Sequence, residues 1–535
     1  MNKETTTEHI SYLKPHGKYK GLMGWLTSTD HKRIAILYLI CIAVFFLVGA
    51  TMGGLMKLEL AKPGQQIMDA QTYNGMFTVH GIIMIFMVVI PGLSAVFGNF
   101  ALPLMIGAKD VAFPKLNLLS WYIYVLGAVL AIYSQLGGSS PPDTGWTFYA
   151  PYSIKSTTNV LPAVLAAFVL GFSSILTGLN FIVTVHRMRA PGMTWFKMPL
   201  FPWSIYATAW IQVLATPIVG ITLLMVIAER TLRIGFFDPS LGGDPVLYQH
   251  LFWIYSHPAV YIMILPAMGV VSEIIPTFCQ RRVYGYRAIA LSSLAIAGIG
   301  YLVWGHHMFT SGMSDFSRIA FSLLTFIVAI PSAIKVFNWL ATMYKGSIDV
   351  RTPFLYTLAF MWLFMIGGLT GLVLGSLATN VHVHDTYFVV AHFHYIVFGG
   401  MGFAFFAAIH YWYPKMFGVM YNELVANIAC GILFFGFNLL YFPMFILGLQ
   451  GMPRRYFDYL PEYATGHMVS SIGAAVMLAG IVLMVYNLVR GGFNGSPAPA
   501  NPWNSLTLEW TIPSPPSIEN FEVEPSITES PYEYK

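Results

Sequence analysis

The stretch Val381–Tyr395, VHVHDTYFVVAHFHY, decides how we interpret the rest of the chain. It holds four of the chain's 15 histidines beside one aspartate, and it runs directly into a long apolar segment. Successive residues of an α-helix turn by about 100°, so His392 and His394 project from nearly opposite faces. One helix could therefore ligate two metals, one on each side.

His382, His384 and Asp385 precede the apolar run and are expected at its aqueous mouth. Carboxylate, imidazole and water together can hold a hard cation there. The alternative is that each histidine is interfacial or a satisfied core residue. Because an ionisable group inside a membrane is costly unless it is used, the HxH pattern at the start of an apolar span favours metal binding.

The composition predicts an all-α polytopic membrane protein. Of the 535 residues, 56% are hydrophobic and 10% charged, with mean hydropathy +0.64, whereas soluble domains carry about 25% charged residues. With spans of about 20 residues, we predict twelve transmembrane helices near 34–56, 74–106, 117–137, 161–188, 203–228, 250–278, 287–310, 319–342, 354–375, 388–414, 424–447 and 466–491. They form one domain, 34–491, between an N-terminal segment, 1–33, and a Pro- and Glu-rich tail, 492–535.

The distribution of positive charge predicts the orientation. Most of the 28 lysine and arginine residues fall in the N-terminal segment and every second loop. The positive-inside rule then places both termini in the cytoplasm or mitochondrial matrix. These loops also account for the net charge of +5, so the charge does not indicate nucleic acid.

Further histidines are expected at the depth of His392 and His394. These are His80 in the second span, His257 in YSHPAVY of the sixth, and His306 and His307 in WGHHMFTSG at the end of the seventh. At 1.5 Å per residue, all six lie roughly 5 to 12 Å beneath the outer surface. Imidazole suits copper, and the set His257, His306 and His307 fits that metal. The other three fit axial ligation of haem iron.

Two polar groups predict proton routes from the inner side. Lys335, in AIPSAIKVFNW, lies within the eighth span and must be neutral, paired or wetted, unless it snorkels to the surface. Ser332, one turn earlier, adds a hydroxyl to the same face. Asp110 ends the second span at its inner side, where Asn99, Asn117, Ser120, Ser173 and Ser174 could carry a water chain inward from it.

These segments resemble subunit I of the haem-copper terminal oxidases, specifically the cytochrome c oxidases. The resemblance runs from STDHKRI near Ser28 to GMPRRYFDY near Tyr459 and includes FFDPSLGGDPVLYQHLFW, SHPAVY, WGHHMFTSGM, IKVFNWLATM and HDTYFVVAHFHY. It implies the following roles: His80 and His394 on a low-spin haem A, His392 on a high-spin haem A, His257, His306 and His307 on copper B, and Tyr261 covalently joined to His257. It also implies magnesium at His384 and Asp385, haem propionates near Arg454, Arg455 and Trp146, and a calcium or sodium site near Glu59 and Gly64.

Two positions depart from the family pattern. Most members carry a glutamate where this chain has Ala259, but some have Tyr-Ser before His-Pro, as Tyr255 and Ser256 stand here. We therefore predict that the Tyr255 hydroxyl takes the place of the glutamate as a proton relay. Lys57 stands where an arginine commonly bonds the formyl group of the low-spin haem, and lysine lacks the planar fork of arginine.

The expected function is reduction of O2 to water with electrons from cytochrome c, coupled to proton translocation. Cys41, Cys279 and Cys430 lie far apart in sequence, so no cysteine pair here can build a copper centre. The resemblance accordingly implies a subunit II carrying the dinuclear copper, together with subunit III and other small membrane subunits. The expected location is a bacterial plasma membrane or, alternatively, a mitochondrial inner membrane.

Three other functions were weighed. A quinol oxidase would share nearly every ligand, but Val48, Met52, Thr72 and Gly75 stand where its polar quinol-binding residues are expected. A nitric oxide reductase would lack the His-linked tyrosine and the membrane lysine. A histidine-rich metal or proton transporter would contain no haem, which makes a haem spectrum the discriminating measurement.

Overall fold

The fold is a bundle of long helices, seen in a computed structural model that describes residues 10–14, 18–137 and 140–534. The described residues contain helices and isolated bridges but no extended strand. The main helices are α1 (His31–Glu59), α2 (Ala70–Ile106), α3 (Pro114–Leu136), α4 (Val160–Arg187), α5 (Leu200–Leu232), α6 (Pro245–Cys279), α7 (Tyr286–Gly300), α8 (Asp315–Met343), α9 (Thr352–Gly375), α10 (Tyr387–Phe417), α11 (Glu423–Leu449) and α12 (Pro461–Asn494).

Eleven of these helices in the described part of the chain are long and apolar enough to cross a membrane. The exception is α7, with 15 residues, where a crossing needs about 20. The predicted span 287–310 is thus divided into α7, a turn, and a 3-10 helix, Trp304–Met308, which carries His306 and His307. The eleven helices are those of a multi-pass membrane protein, and the twelfth crossing stays a prediction.

Helix α6 lies at the centre of the bundle. In its most apolar 18-residue window 89% of the residues are buried, against 17% for α8, which lies at the periphery. Consecutive helices pack against each other, notably α3 with α4, α4 with α5, α5 with α6, and α11 with α12. Helices that follow one another in sequence are thus neighbours in space, as is usual for consecutive elements.

Two helices change their pitch near histidines. In α2 the backbone forms π-helical turns at Ile83–Val89, shortly after His80. In α10 it does so at Val397–Gly402, directly after His392 and His394. Single π-helical turns are costly and occur mainly at functional sites, where they re-aim side chains.

The tail covers the ends of the chain's own helices. Tyr12 of the N-terminal segment donates its hydroxyl hydrogen to the carbonyl of Met416 at the end of α10, and its backbone N–H to Pro516. Lys415 donates to the tail carbonyls of Ala500 and Ile512. We call this side of the bundle, defined by Tyr12 and the tail residues 495–534, the terminal face.

Candidate active site

A large cavity extends along the bundle, from the histidines to Phe417 and Phe493 at the terminal ends of α10 and α12. It has a volume of about 1760 Å³ and mostly apolar walls. Its lining includes all six histidines that the sequence analysis singled out: His80, His257, His306, His307, His392 and His394. The cavity therefore collects side chains contributed by α2, α6, the 3-10 helix after α7, and α10.

Three of the imidazoles form one compact ligand set. His257, His306 and His307 each offer a ring nitrogen, and these atoms all lie within 4.8 Å of one another. Nδ1 of His257 is 3.1 Å from Nε2 of His307. No other group of three or more potential metal ligands this close together occurs in the described ranges.

Neighbouring side chains hold this set in place. Trp253, one turn before His257 on α6, stacks flat on His307 with ring centroids 3.7 Å apart and planes within 5°. Nδ1 of His306 is 2.9 Å from the hydroxyl of Thr325 on α8. The sequence analysis missed both, because each contact joins separate helices and no local spacing signals it. Partners of this kind fix ring orientation at metal sites.

The remaining three histidines share one hydrogen-bonding pattern. In each of them Nδ1 faces a backbone carbonyl. The distance is 2.8 Å from His80 to Gly49, 2.8 Å from His394 to Val390, and 3.0 Å from His392 to Gly367. A carbonyl can only accept, so Nδ1 carries the proton in each ring. Nε2 is then left with a free lone pair, which is the form that ligates iron.

Glycines make room for two of these rings. A Cβ on Gly53 of α1 would lie 3.3 Å from Cε1 of His80, and one on Gly371 of α9 would lie 3.1 Å from Cε1 of His392. Larger residues there would push the imidazoles out of position. The third ring, that of His394, stacks on Tyr441 of α11, with ring centroids 4.4 Å apart.

Tyr261 lies beside the three-histidine set. It follows His257 by one turn of α6, and the two ring centroids are 4.9 Å apart. Tyr261 lines the cavity. Tyr255 and Ser256 are buried on the same helix, but neither is among the residues that line the cavity. The hydroxyl of Ser256 is buried without a protein partner.

Lys335 is buried in α8, where its Nζ donates to Ser293 Oγ at 2.7 Å and to the carbonyl of Ile289 at 3.0 Å. It does not snorkel, because its side chain turns to α7. Ser332 bonds its own helix at Val328, at 3.4 Å, and lines the cavity. The hydroxyl that partners Lys335 is thus Ser293, a residue that sequence spacing on α8 could not reveal.

Asp110 lies in the loop between α2 and α3 on the terminal face. Burial raises the pKa of Asp110 to about 7, although a hydrogen bond from Val111 acts to lower it. Deeper along α2 and α3, Asn99 and Asn117 are buried, and both amide atoms of Asn117 lack a protein partner. Buried polar atoms of this kind are normally satisfied by internal water.

Two serines continue inward from Asn117. Ser120 and Ser173 are joined by the hydroxyl of Tyr38, at 3.1 and 3.3 Å. Tyr38, on α1, was absent from the predicted route, because its sequence neighbours give no polar signal. Together these groups form a polar strip through the terminal half of the bundle.

The outer rim of the cavity is positively charged. Nε of Arg454 donates to Oδ1 of Asp385 at 2.6 Å, and Nη2 forms an ion pair with the same oxygen at 2.6 Å. Nε2 of His384 is 3.5 Å from the same carboxylate. Burial acts to raise the pKa of Asp385, but Arg454, His384 and Arg455 together outweigh it and lower it. Burial and the neighbouring Arg454 lower the pKa of Arg455 to about 10. All four residues line the cavity, as does Trp146.

Of the remaining predicted ligands, Glu59 and Gly64 form hydrogen bonds within the protein, whereas Lys57 does not. The Glu59 carboxylate accepts from the backbone N–H groups of Gln66, Ile67 and Met68 at 2.7 to 3.0 Å. The N–H of Gly64 donates to Asp458 at 2.7 Å. Lys57 is buried, lines the cavity, and its Nζ has no hydrogen-bond partner.

This arrangement, a helical membrane bundle enclosing a histidine-lined cavity, defines a class of metal-dependent membrane enzyme. Residues 33–476 match the family described as "Cytochrome C and Quinol oxidase polypeptide I". The chain belongs to this family, the catalytic subunit I of the haem-copper oxidases. It is a membrane oxidoreductase of respiratory electron transport, and the family implies haem and copper.

Similar proteins support the same assignment. The chain is 43% identical to cytochrome c oxidase subunit 1 of Thermostichus vulcanus over 95% of this chain and 92% of that protein. It is 41% identical to the Bacillus subtilis subunit 1, covering 95% and 82%, and 42% identical to that of Cereibacter sphaeroides, covering 93% and 94%. A dimeric heme-copper terminal oxidase solved by cryo-EM shares the fold, with TM-score 0.73 at 22% identity over 88% of this chain and 85% of that one.

The residues present fit the cofactors that the family implies. Nε2 of His257 is buried without a hydrogen-bond partner, as expected for a metal ligand. His80, His392 and His394 are held in the tautomer that leaves Nε2 free. Arg454 and Arg455 offer the rim guanidinium groups that carboxylate substituents of a haem need.

Proposed function

We propose that this chain reduces O2 to water with electrons from cytochrome c, in a reaction coupled to proton translocation. The observation that carries the proposal is the gathering of six imidazoles around one cavity, with three of them inside 4.8 Å. Such a set suits one copper and two haems at a common depth. When bound, these groups supply the electrons for breaking the O–O bond.

The ligand assignment follows the tautomers and positions of the histidines. His80 and His394 would hold a low-spin haem A, and His392 would hold a high-spin haem A. His257, His306 and His307 hold copper B. Tyr261, next to His257, offers a hydroxyl proton at the point where oxygen is reduced.

Two proton routes lead from the terminal face to the cavity. One passes Lys335 and Ser293, with Ser332 at the cavity wall. The other begins at Asp110 and passes Asn99, Asn117, Ser120 and Ser173. Tyr255, with Ser256, is the relay between this second route and the cavity. Drawing protons from one side while electrons enter from the other stores energy across the membrane.

Partners and orientation complete the proposal. Cys41, Cys279 and Cys430 are all free thiols in separate helices, so the dinuclear copper centre that receives electrons belongs to a partner subunit II. A subunit III and small membrane subunits accompany it. The chain crosses a bacterial plasma membrane twelve times, with α7 and the 3-10 helix after it forming the short seventh crossing and both termini inside.

The proposal also includes two cation sites besides the copper site. Asp385 already bonds Arg454 and lies near His384, so a magnesium ion there needs further ligands from a partner subunit. The three backbone N–H groups on Glu59 leave its carboxylate fewer lone pairs for calcium or sodium near Gly64. Lys57 lies at the edge of the low-spin haem pocket.

One pair of measurements tests the proposed function. A pyridine haemochrome assay and a reduced-minus-oxidised spectrum of the purified complex should show two haems of type A for each copper B. Oxygen uptake should then be supported by reduced cytochrome c and not by a quinol. Uptake with quinol alone would make the enzyme a quinol oxidase, which the matched family also includes, and the absence of haem would refute an oxidase altogether.

A further inference from the structure

A second pocket lies on the terminal face, between the turn that joins α6 to α7, the end of α8 and the tail. It has a volume of about 680 Å³, and its walls include Arg281, Arg282, Tyr284, Tyr286, Arg287 and Phe196. It is separate from the histidine-lined cavity, with which it shares no lining residue. Nothing in the proposed oxygen chemistry uses it.

The pocket carries concentrated positive charge. Three arginines line it, and the described lining residues include no aspartate or glutamate. Arg282 reaches Glu533 at 3.3 Å, but both side chains are well exposed, so this pair is weak. Nη1 of Arg281 is buried without any hydrogen-bond acceptor. A buried guanidinium N–H of this kind calls for an anionic partner.

The start of α7 adds hydrogen-bond donors to the same pocket. Helix α7 begins at Tyr286, after Gly285, and no side chain caps its first turn. Gly285 has a φ of +64°, and a Cβ there would lie 2.0 Å from Oδ1 of Asn338, so only glycine fits this turn. The N–H groups of a first helical turn, with the helix dipole, attract phosphate oxygens.

The position of the pocket indicates which kind of anion can reach it. It lies where two apolar helices, α6 and α7, reach the membrane surface, and Tyr284 and Phe196 are exposed beside it. Aromatic residues at this level are typical of the headgroup region. Below the pocket, the surface of α8 exposes Phe337, one turn before the lining residue Ala341, and Leu340, directly before it. Both side chains also line the large cavity.

From this geometry we propose that the pocket binds the phosphate of an anionic phospholipid in the leaflet on the terminal face. The phosphate lies between Arg281, Arg287 and the first turn of α7, and the acyl chains run along Phe337 and Leu340. Basic pockets at the inner ends of transmembrane helices bind such headgroups. The apolar strip is the feature that selects a lipid over a soluble phosphate.

The test uses the assembled oxidase complex in nanodiscs. Native mass spectrometry would count phosphatidylglycerol retained from a mixture with phosphatidylcholine, for the wild-type enzyme and for Arg281→Gln/Arg287→Gln. The control is Arg490→Gln, an exposed arginine at the end of α12 outside the pocket. Loss of two guanidinium groups should weaken phosphatidylglycerol binding about tenfold to thirtyfold.

Each outcome has a defined meaning. Loss of one tightly retained phosphatidylglycerol in the double variant, with normal retention in Arg490→Gln, supports the site. Equal retention in the double variant overturns it. Displacement of the lipid by inorganic phosphate at similar concentration also overturns it, because the pocket would then be a soluble-anion site. If the double variant does not assemble with its normal haem spectrum, Arg287→Gln alone decides, because this side chain is exposed and lies over the exposed ring of Phe196.

Discussion

At the scale of single residues, the buried polar groups of this chain divide by whether they have a partner. Lys335 and Ser293 satisfy each other across two helices, whereas Ser256, Lys57 and Asn117 have buried polar atoms without protein partners. A paired group needs its partner for position. An unpaired one requires water or a cofactor. A substitution in the first set should therefore displace the partner group, whereas one in the second set should disturb a water molecule or a cofactor.

Replacing Lys335 with methionine should abolish most oxygen reduction. The variant removes an amine that is held by Ser293 and Ile289, and loss of a proton-transferring group typically slows a reaction by about 10² to 10⁴. Oxygen uptake with reduced cytochrome c measures this, with the haem spectrum as the check on assembly. Ser293→Ala should show a smaller loss, and Ser332→Ala a smaller one still, because Ser332 lies on the route but does not bond Lys335. Equal losses in the two serine variants would contradict the pairing.

Replacing Tyr255 with phenylalanine should slow turnover markedly or abolish proton pumping, because the hydroxyl is the proposed relay beside Ala259. Tyr356→Phe is a matched control, since its hydroxyl is also buried but lacks a hydrogen-bond partner and lies outside the cavity lining. Proton release by reconstituted vesicles and oxygen uptake are the two readouts. An unchanged rate and proton stoichiometry in Tyr255→Phe would refute the role.

The pH dependence of proton uptake should reflect Asp110. Burial raises the pKa of this carboxyl to about 7, so it is mostly protonated below that pH and mostly ionised above it. If its protonated form delivers the proton, turnover should be flat below about pH 7 and fall above it. Asp110→Asn should be slow at every pH and lose this inflection. An inflection that persists in Asp110→Asn must come from another group.

At the scale of helices, the metal-binding geometry depends on close approach between neighbouring elements. Because Gly371 has no side chain, α9 can approach the His392 ring closely. A Cβ at this position would lie 3.1 Å from Cε1 of His392. The π-helical turns of α2 and α10 follow their histidines directly. The positions of the ligands thus depend both on the backbone of their own helices and on the helices packed against them.

Replacing Gly371 with alanine should disturb the haem that we propose His392 binds. The new methyl group would press on Cε1 of His392, so we expect an altered carbon monoxide difference spectrum and lower oxygen uptake. Gly298→Ala on α7 is the control, because a Cβ there meets nothing within 4 Å and the residue lies outside the cavity lining. Identical spectra for both variants would show that His392 tolerates the displacement.

The sequence predicted the helices better than the contacts between them. Apolar length located eleven spans, but it could not show that α7 ends at Gly300 so that a 3-10 helix carries His306 and His307. The grouping of the histidines on α2, α6 and α10 could be predicted, because their depth follows from helical rise. Trp253, Thr325 and Ser293 were not, since their roles depend on packing between distant segments.

At the scale of the whole molecule, the tail joins segments that are far apart in sequence. The Asn520 amide donates to the carbonyls of Ala108 and Lys109, at 2.8 and 3.0 Å, and its oxygen accepts from Lys32 at 2.7 Å. Nε2 of His31 lies beside the same amide. One buried side chain thus connects the start of α1, the loop that carries Asp110, and the tail.

Replacing Asn520 with leucine should destabilise the terminal face. Lys32 would keep Asp30 at 3.0 Å but lose the amide oxygen, and two loop carbonyls would lose their donor. Buried polar groups left without partners cost about 1 to 3 kcal/mol each, so a loss of about 2 to 6 kcal/mol is expected from the two carbonyls. Thermal unfolding of the purified complex, followed by haem absorbance, measures this. Asn494→Leu, at an exposed position, should leave the unfolding temperature within about a degree. If both variants unfold like the wild-type enzyme, the tail covers the terminal face without holding it together.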